Sequence, residues 1–110
     1  MHATTMRTTV EVHLNLTRNA ERCTEDRFTV TTGGLSIQVF EIHAEVGFDP
    51  LGHPVIRKAT FHGWSVLKSG KFGSVRKIDM AKASLSDGDS AKWMTARQAI
   101  REEAAWRRPA

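Results

Sequence analysis

A two-residue alternation opens the chain. Met6, Thr8, Val10, Val12, Leu14 and Leu16 occupy the even positions, and Arg7, Thr9, Glu11, His13, Asn15 and Thr17 the odd ones. Successive side chains of a strand point to opposite faces, so this pattern predicts a half-buried first strand with its even positions inward. Residues 18–26 carry no apolar pattern and read as a polar loop. A short second strand follows at 27–31, with Phe28 and Val30 inward. Thr32-Gly33-Gly34 signals a tight turn, because glycine adopts the positive φ that hairpins need. The third strand runs from Leu35 to about Phe48, and its phase changes on the way. Leu35, Ile37 and Val39 are apolar at odd positions, whereas Phe40, Ile42, Ala44, Val46 and Phe48 are apolar at even ones. A β-bulge produces such a change; burial of both faces near Val39 and Phe40 is the alternative.

Asp49-Pro50-Leu51-Gly52 is a turn, since proline presets φ and glycine relieves the exit. A fourth strand spans about 54–67, with Val55, Ala59 and Phe61 in odd phase and a switch around Gly63 to Trp64 and Val66. Strands three and four thus form a long hairpin, each with an irregularity. Lys68-Ser69-Gly70-Lys71 turns the chain into a fifth strand over 72–80, and residues 81–90 are weakly patterned, with Ser86-Asp87-Gly88-Asp89 as a loop. A C-terminal helix begins at Asp89, Ser90 or Thr95, where Thr95-x-x-Gln98 resembles a capping box. Trp93, Ala96, Ile100 and Ala104 share one helical face, Arg107 and Arg108 suit the negative end of the helix dipole, and Pro109 ends it. The fold class is therefore α+β: a curved antiparallel sheet of about five strands with one C-terminal helix packed on it. The expected core comprises Val10, Val12, Leu14, Phe28, Val30, Ile37, Phe40, Ile42, Val46, Phe61, Val66, Trp93 and Ile100.

With 110 residues the chain makes a single domain, 1–110. No apolar run approaches the roughly 20 residues of a membrane span, so no membrane partner is expected. Residues 1–7 lack the apolar stretch of a secretory signal, and Cys23 is the only cysteine, which excludes an internal disulfide and favours a reducing compartment. Asn15-Leu16-Thr17 fits a glycosylation acceptor, but without a secretory signal it reads as chance.

Charge sharpens the picture. Residues 53–77 hold Arg57, Lys58, Lys68, Lys71, Arg76 and Lys77 and no acid, while residues 1–52 hold seven acids against four bases. Such a split favours an anionic partner. Lys58, Lys68, Lys71, Arg76 and Lys77 could contact DNA or RNA, with Phe72 stacking on a base beside Lys71. A solvated edge with charged gatekeepers is the plainer reading of the same residues, and Phe72 is more often the first inward residue of the fifth strand than an exposed ring. A third reading sets the basic segment against the acidic half of another copy, as in a homo-oligomer.

Other chemistry finds little support. Lys68-Ser69-Gly70-Lys71-Phe72-Gly73 lacks the leading glycine and the Ser or Thr of a phosphate loop. The five histidines show no helical metal-pair spacing, although strand pairing could join His13 to His43. Cys23 sits among Glu21, Glu25 and Asp26, which disfavour a thiolate, and Asp87-Gly88-Asp89 is too short for a calcium loop. No catalytic residue, metal or cofactor is expected, and the protein is read as no enzyme. Trp106 lies off the packed stripe of the helix, where it either widens that face or anchors a partner with Arg101, Arg107 and Arg108 as its rim.

The helix Thr95-Ala-Arg-Gln-Ala-Ile-Arg-Glu-Glu-Ala-Ala-Trp-Arg-Arg and the hairpin Gly63-Trp-Ser-Val-Leu-Lys-Ser-Gly-Lys-Phe-Gly give the chain a texture that resembles the small accessory proteins of actinobacterial phages. The resemblance implies a non-enzymatic protein in the cytoplasm of a bacterial host, acting by binding host or phage macromolecules. It transfers no functional residue. The leading expectation is a small binding module that contacts another protein; nucleic-acid binding through the basic segment and self-assembly as a structural subunit are the alternatives.

Overall fold

The computed structural model describes residues 9–16 and 27–109. Met6, Thr8, Thr17, Cys23 and the loop expected at 18–26 lie outside the described residues. Within them the chain forms β1 (Val10–Asn15), β2 (Phe28–Thr32), β3 (Leu35–Phe48), β4 (Pro54–Val66), β5 (Phe72–Asp79), a short 3-10 turn (Met80–Lys82) and α1 (Asp87–Trp106). All strand pairings are antiparallel. The sheet is the open, curved α+β arrangement that the hydrophobic pattern predicts.

β3 is its spine. β4 lies along one edge with β5 beyond it, and β1 and β2 share the other edge end to end. β1 pairs with the 41–46 stretch of β3 and β2 with 35–39. Phe40 stands at the junction, where its carbonyl accepts the Leu16 N–H at 2.7 Å. Beyond β5, Ser84 forms an isolated bridge to Thr31 on the outer edge of β2.

The expected irregularity in β3 is a bulge: Val39 pairs with Gly63 and Glu41 with His62, leaving Phe40 as an extra residue. The irregularity in β4 lies elsewhere than expected. Ser65, Gly63, Phe61 and Ala59 continue one inward phase through Gly63, and all are buried. The phase changes instead at Arg57, the extra residue between the pairs Glu45–Lys58 and Val46–Ile56. Ile56 therefore takes the inward place expected of Val55, which is 39% exposed. Trp64 and Val66 point away from the helix, and so does Phe40; none of the three belongs to the core that was expected to hold Phe40 and Val66.

The core lies between the sheet and α1. Phe28, Val30, Ile37, Ile42, Val46 and Phe61 meet Ala96, Ile100 and Ala104, the helical stripe expected from 3.6-residue spacing. Trp93 packs edge-on against Phe61, ring centroids 4.9 Å apart. The helix starts earlier than expected, since Ser86 is its N-cap. The Ser86 hydroxyl accepts the Asp89 N–H at 3.3 Å and donates to Asp89 Oδ2 at 2.7 Å, so the segment read as a loop is a capped first turn. Asp89 Oδ1 also accepts the Thr29 N–H at 3.1 Å, which ties this turn to β2. Thr95 is internal, its hydroxyl donating to the Ala91 carbonyl.

Candidate functional site

Strand alternation fixes what the second face of the sheet carries. With Phe61, Ala44 and Val12 turned to the helix, the register turns Glu11, His13 and Asn15 of β1 outward. Glu41, His43 and Glu45 of β3, Lys58, Thr60, His62 and Trp64 of β4, and Val75, Lys77 and Asp79 of β5 join them. This outer face has two halves.

The half toward the β4–β5 turn is aromatic. Trp64 stands between Gln38 and Val75 in register. The Phe40 ring lies 4.5 Å from it and the Phe72 ring 5.6 Å, the latter nearly parallel at 21°. The Phe40 bulge brings the first ring over Trp64, and the register shift in β5 beside Trp64 and Val66 brings the second. The Arg27 guanidinium lies 5.5 Å from the Trp64 centroid, in cation–π range, and its Nε is shielded from solvent without a hydrogen-bond partner. Phe72 and Val75 remain about half exposed, at 51% and 54%.

The other half carries histidines. His13 and His43 are direct cross-strand partners, with rings stacked at 3.9 Å and 13°. His62 stacks on the opposite side of His43, also at 3.9 Å, and at 24°. His43 Nε2 lies 3.3 Å from Glu41 Oε2, close in distance but poorly directed, so it forms no hydrogen bond there although solvent cannot reach it. Burial, then the neighbouring charges of His43 and Lys77, hold the His62 pKa below its ordinary value.

No protein-family model, curated protein or solved structure matches this chain.

The structure disperses the cations expected to act together. Lys58 and Lys77 belong to the outer face, but Arg76 pairs with Gly63 and belongs to the helix side. Lys68 and Lys71 sit exposed in the β4–β5 turn, and the Arg57 side chain lies against Gly47. A single basic patch does not form, because adjacent strand residues face opposite ways and the segment bends through a turn. Phe72 takes the exposed, stacked position of its two readings.

At the far end of the molecule Trp106 is 88% exposed, so it does not widen the packed face of the helix. Its neighbours turn back onto the strands. Arg107 Nε approaches Glu103 Oε2 at 3.3 Å while its Nη2 donates to the Glu11 carbonyl, and the Arg108 guanidinium lies 5.4 Å from the Phe48 ring. Arg101 borders a shallow groove with His53, Pro54 and Gln98. A larger groove of about 610 Å³ runs between β1 and α1, lined by residues including His13, Leu14, Glu103 and Arg107; His43 does not line it.

Arg27, Phe40, Trp64 and Glu41 are the outer-face residues that sequence reasoning missed. Trp64 and Phe40 look like core residues until the bulge is placed, and Arg27 flanks the loop. No helix among the described residues is long and apolar enough to cross a membrane.

Proposed function

We propose that the protein is a small non-enzymatic binding module, in the manner of phage accessory proteins, that contacts another protein through the aromatic half of its outer face. The supporting observation is the Phe40–Trp64–Phe72 ring cluster, with Phe72 and Val75 half exposed beside it. Burying the remaining surface of those two side chains would contribute on the order of 2 kcal/mol. Rigid aromatic rings lose little entropy on contact, which suits them as interface anchors. Arg27 and Lys77 border the cluster and favour an acidic rim on the partner. Trp106, with Arg101, Arg107 and Arg108 near it, supplies a second anchor at the far end of the helix.

The test uses the full chain as bait in a bacterial lysate, beside a Phe72→Ser/Val75→Ser variant of unchanged circular dichroism. A partner retained by the parent and lost by the variant is the expected result. Retention indifferent to both the outer face and Trp106→Ser overturns the reading.

One observation favours a second reading. A Trp–Phe stack crossed by an arginine is also a platform for unpaired bases. Anisotropy with single-stranded DNA and RNA at roughly 50 and 200 mM salt separates the two. Binding that falls steeply with salt and is lost in Phe72→Ser and Lys77→Gln would put nucleic acid first. Sedimentation at increasing concentration reads out self-assembly, the third reading.

A further inference from the structure

We propose that His13, His43 and Glu41 form a binding site for a divalent transition-metal ion of the zinc type on the histidine half of the outer face. The ligand atoms of these three residues all lie within 4.8 Å of one another. Two ligands on one zinc ion stand about 3.3 Å apart, from metal–nitrogen bonds of about 2.0–2.1 Å in a tetrahedron. The contraction needed is therefore small, and side-chain torsions supply it. The imidazole χ2 well is broad, so tipping the stacked rings out of parallel lets their lone pairs converge. The backbone need not move, because His13 and His43 are already direct cross-strand partners and Glu41 lies two residues from His43 on the same face.

A second observation points to a ligand. His43 Nε2 is shut off from solvent, lies 3.3 Å from a carboxylate oxygen and makes no hydrogen bond with it. A buried polar atom without a partner is uncommon. An ion held between the two would use both lone pairs, where a badly directed contact uses neither. Two imidazoles and one carboxylate suit zinc and its late first-row neighbours, whereas magnesium and calcium favour all-oxygen sets. Three protein ligands leave a fourth position for water. The site is independent of the aromatic cluster.

Calorimetric titration of the full, chelator-stripped chain with Zn²⁺ tests this, with thermal unfolding as a second readout. The expected result is saturable 1:1 binding that raises the unfolding midpoint, because the ion fastens β1 to β3. His43→Ala and Glu41→Gln should each weaken binding by at least about tenfold, equal to 1.4 kcal/mol. His53→Ala, at an exposed histidine beside Asp49, should bind as the parent does. Should His43→Ala unfold, Glu41→Gln, which keeps the size of the side chain, and His13→Ala, at an exposed position, carry the test. Absence of saturable binding at about 100 µM Zn²⁺, a concentration that detects even weak sites, overturns the proposal. So does binding that survives both His13→Ala and Glu41→Gln.

Discussion

Gly63 lies against the backbone of Gln38 across the β3–β4 ladder. A Cβ at residue 63 would fall onto the Gln38 carbonyl, 2.6 Å from its carbon and 3.0 Å from Val39 Cα. Both obstacles are main chain in the middle of the sheet, so neither can turn aside. Gly63→Ala should destabilise the protein by about 3 kcal/mol, the upper end of the usual overpacking cost. Urea unfolding of the two proteins measures it; a change below 1 kcal/mol would mean that the ladder relaxes there at little cost.

Ile100 is fully buried and Met94 is 56% exposed, six residues apart on one helix. Ile100→Ala should cost about 2–5 kcal/mol, as large-to-small core changes do. Met94→Ala should stay within about 0.5 kcal/mol. Equal effects in denaturant melts would contradict the placement of the helical stripe.

Asp89 serves two elements at once, accepting the Thr29 N–H and the Ser86 hydroxyl. Asp89→Ala should lose about 1–2 kcal/mol, from the cap and the strand link together. Hydrogen exchange should quicken at Thr29 as well as in the first turn of α1. Quickening confined to the helix would show that the link to β2 contributes nothing.

The histidine stack sets an acid limit on stability in the metal-free protein. His62 stacks on His43 and feels the charges of His43, Lys77, Glu41 and, across His43, His13; its pKa is lowered from 6.5, with burial the first cause. The folded state then binds fewer protons than the unfolded chain just below that pH, so stability is full above 6.5 and declines as pH falls toward the lower folded value. Chelator-treated protein should melt at lower urea at pH 5.5 than at pH 7.5, and His62→Gln should flatten the difference. A profile unchanged by the substitution would place the acid sensitivity in other groups.

Much of this fold is legible in the residues, and the exceptions have physical causes. The limits of β3 follow its apolar pattern, because a strand buried on one face must alternate. β4 misleads because two of its inward positions, Gly63 and Ser65, carry no apolar side chain, while Trp64 beside them does. Val55 and Ile56 are both apolar, so composition cannot say which one turns inward. Ser86-Asp87-Gly88-Asp89 has the makeup of a loop, yet the same hydroxyl and carboxylate cap a helix. The outer face is the least legible part. Parity puts His13 and His43 on polar faces, but only the β1–β3 register stacks them. Arg27 reaches Trp64 only once β2 is laid beside the bulge at Phe40.

The two bulges of the long hairpin cancel. The residue that β3 gains at Phe40 is matched by the one that β4 gains at Arg57, so the block between them, 41–45 against 58–62, is shifted as a unit while both flanks keep a common frame. Lineages can shed or acquire each bulge on its own, because removing an unpaired extra residue restores alternation and leaves every other pair in place. Loss of Phe40 alone would leave Glu41 and His43 facing outward and still opposite His62 and Thr60, loss of Arg57 alone would leave Glu45 and Val46 on Lys58 and Ile56, and joint loss would leave a straight ladder. In a set of homologues, single-residue gaps should appear at these two sites independently of each other and be rare within the block between them, where a lost residue would turn its neighbours to the wrong face.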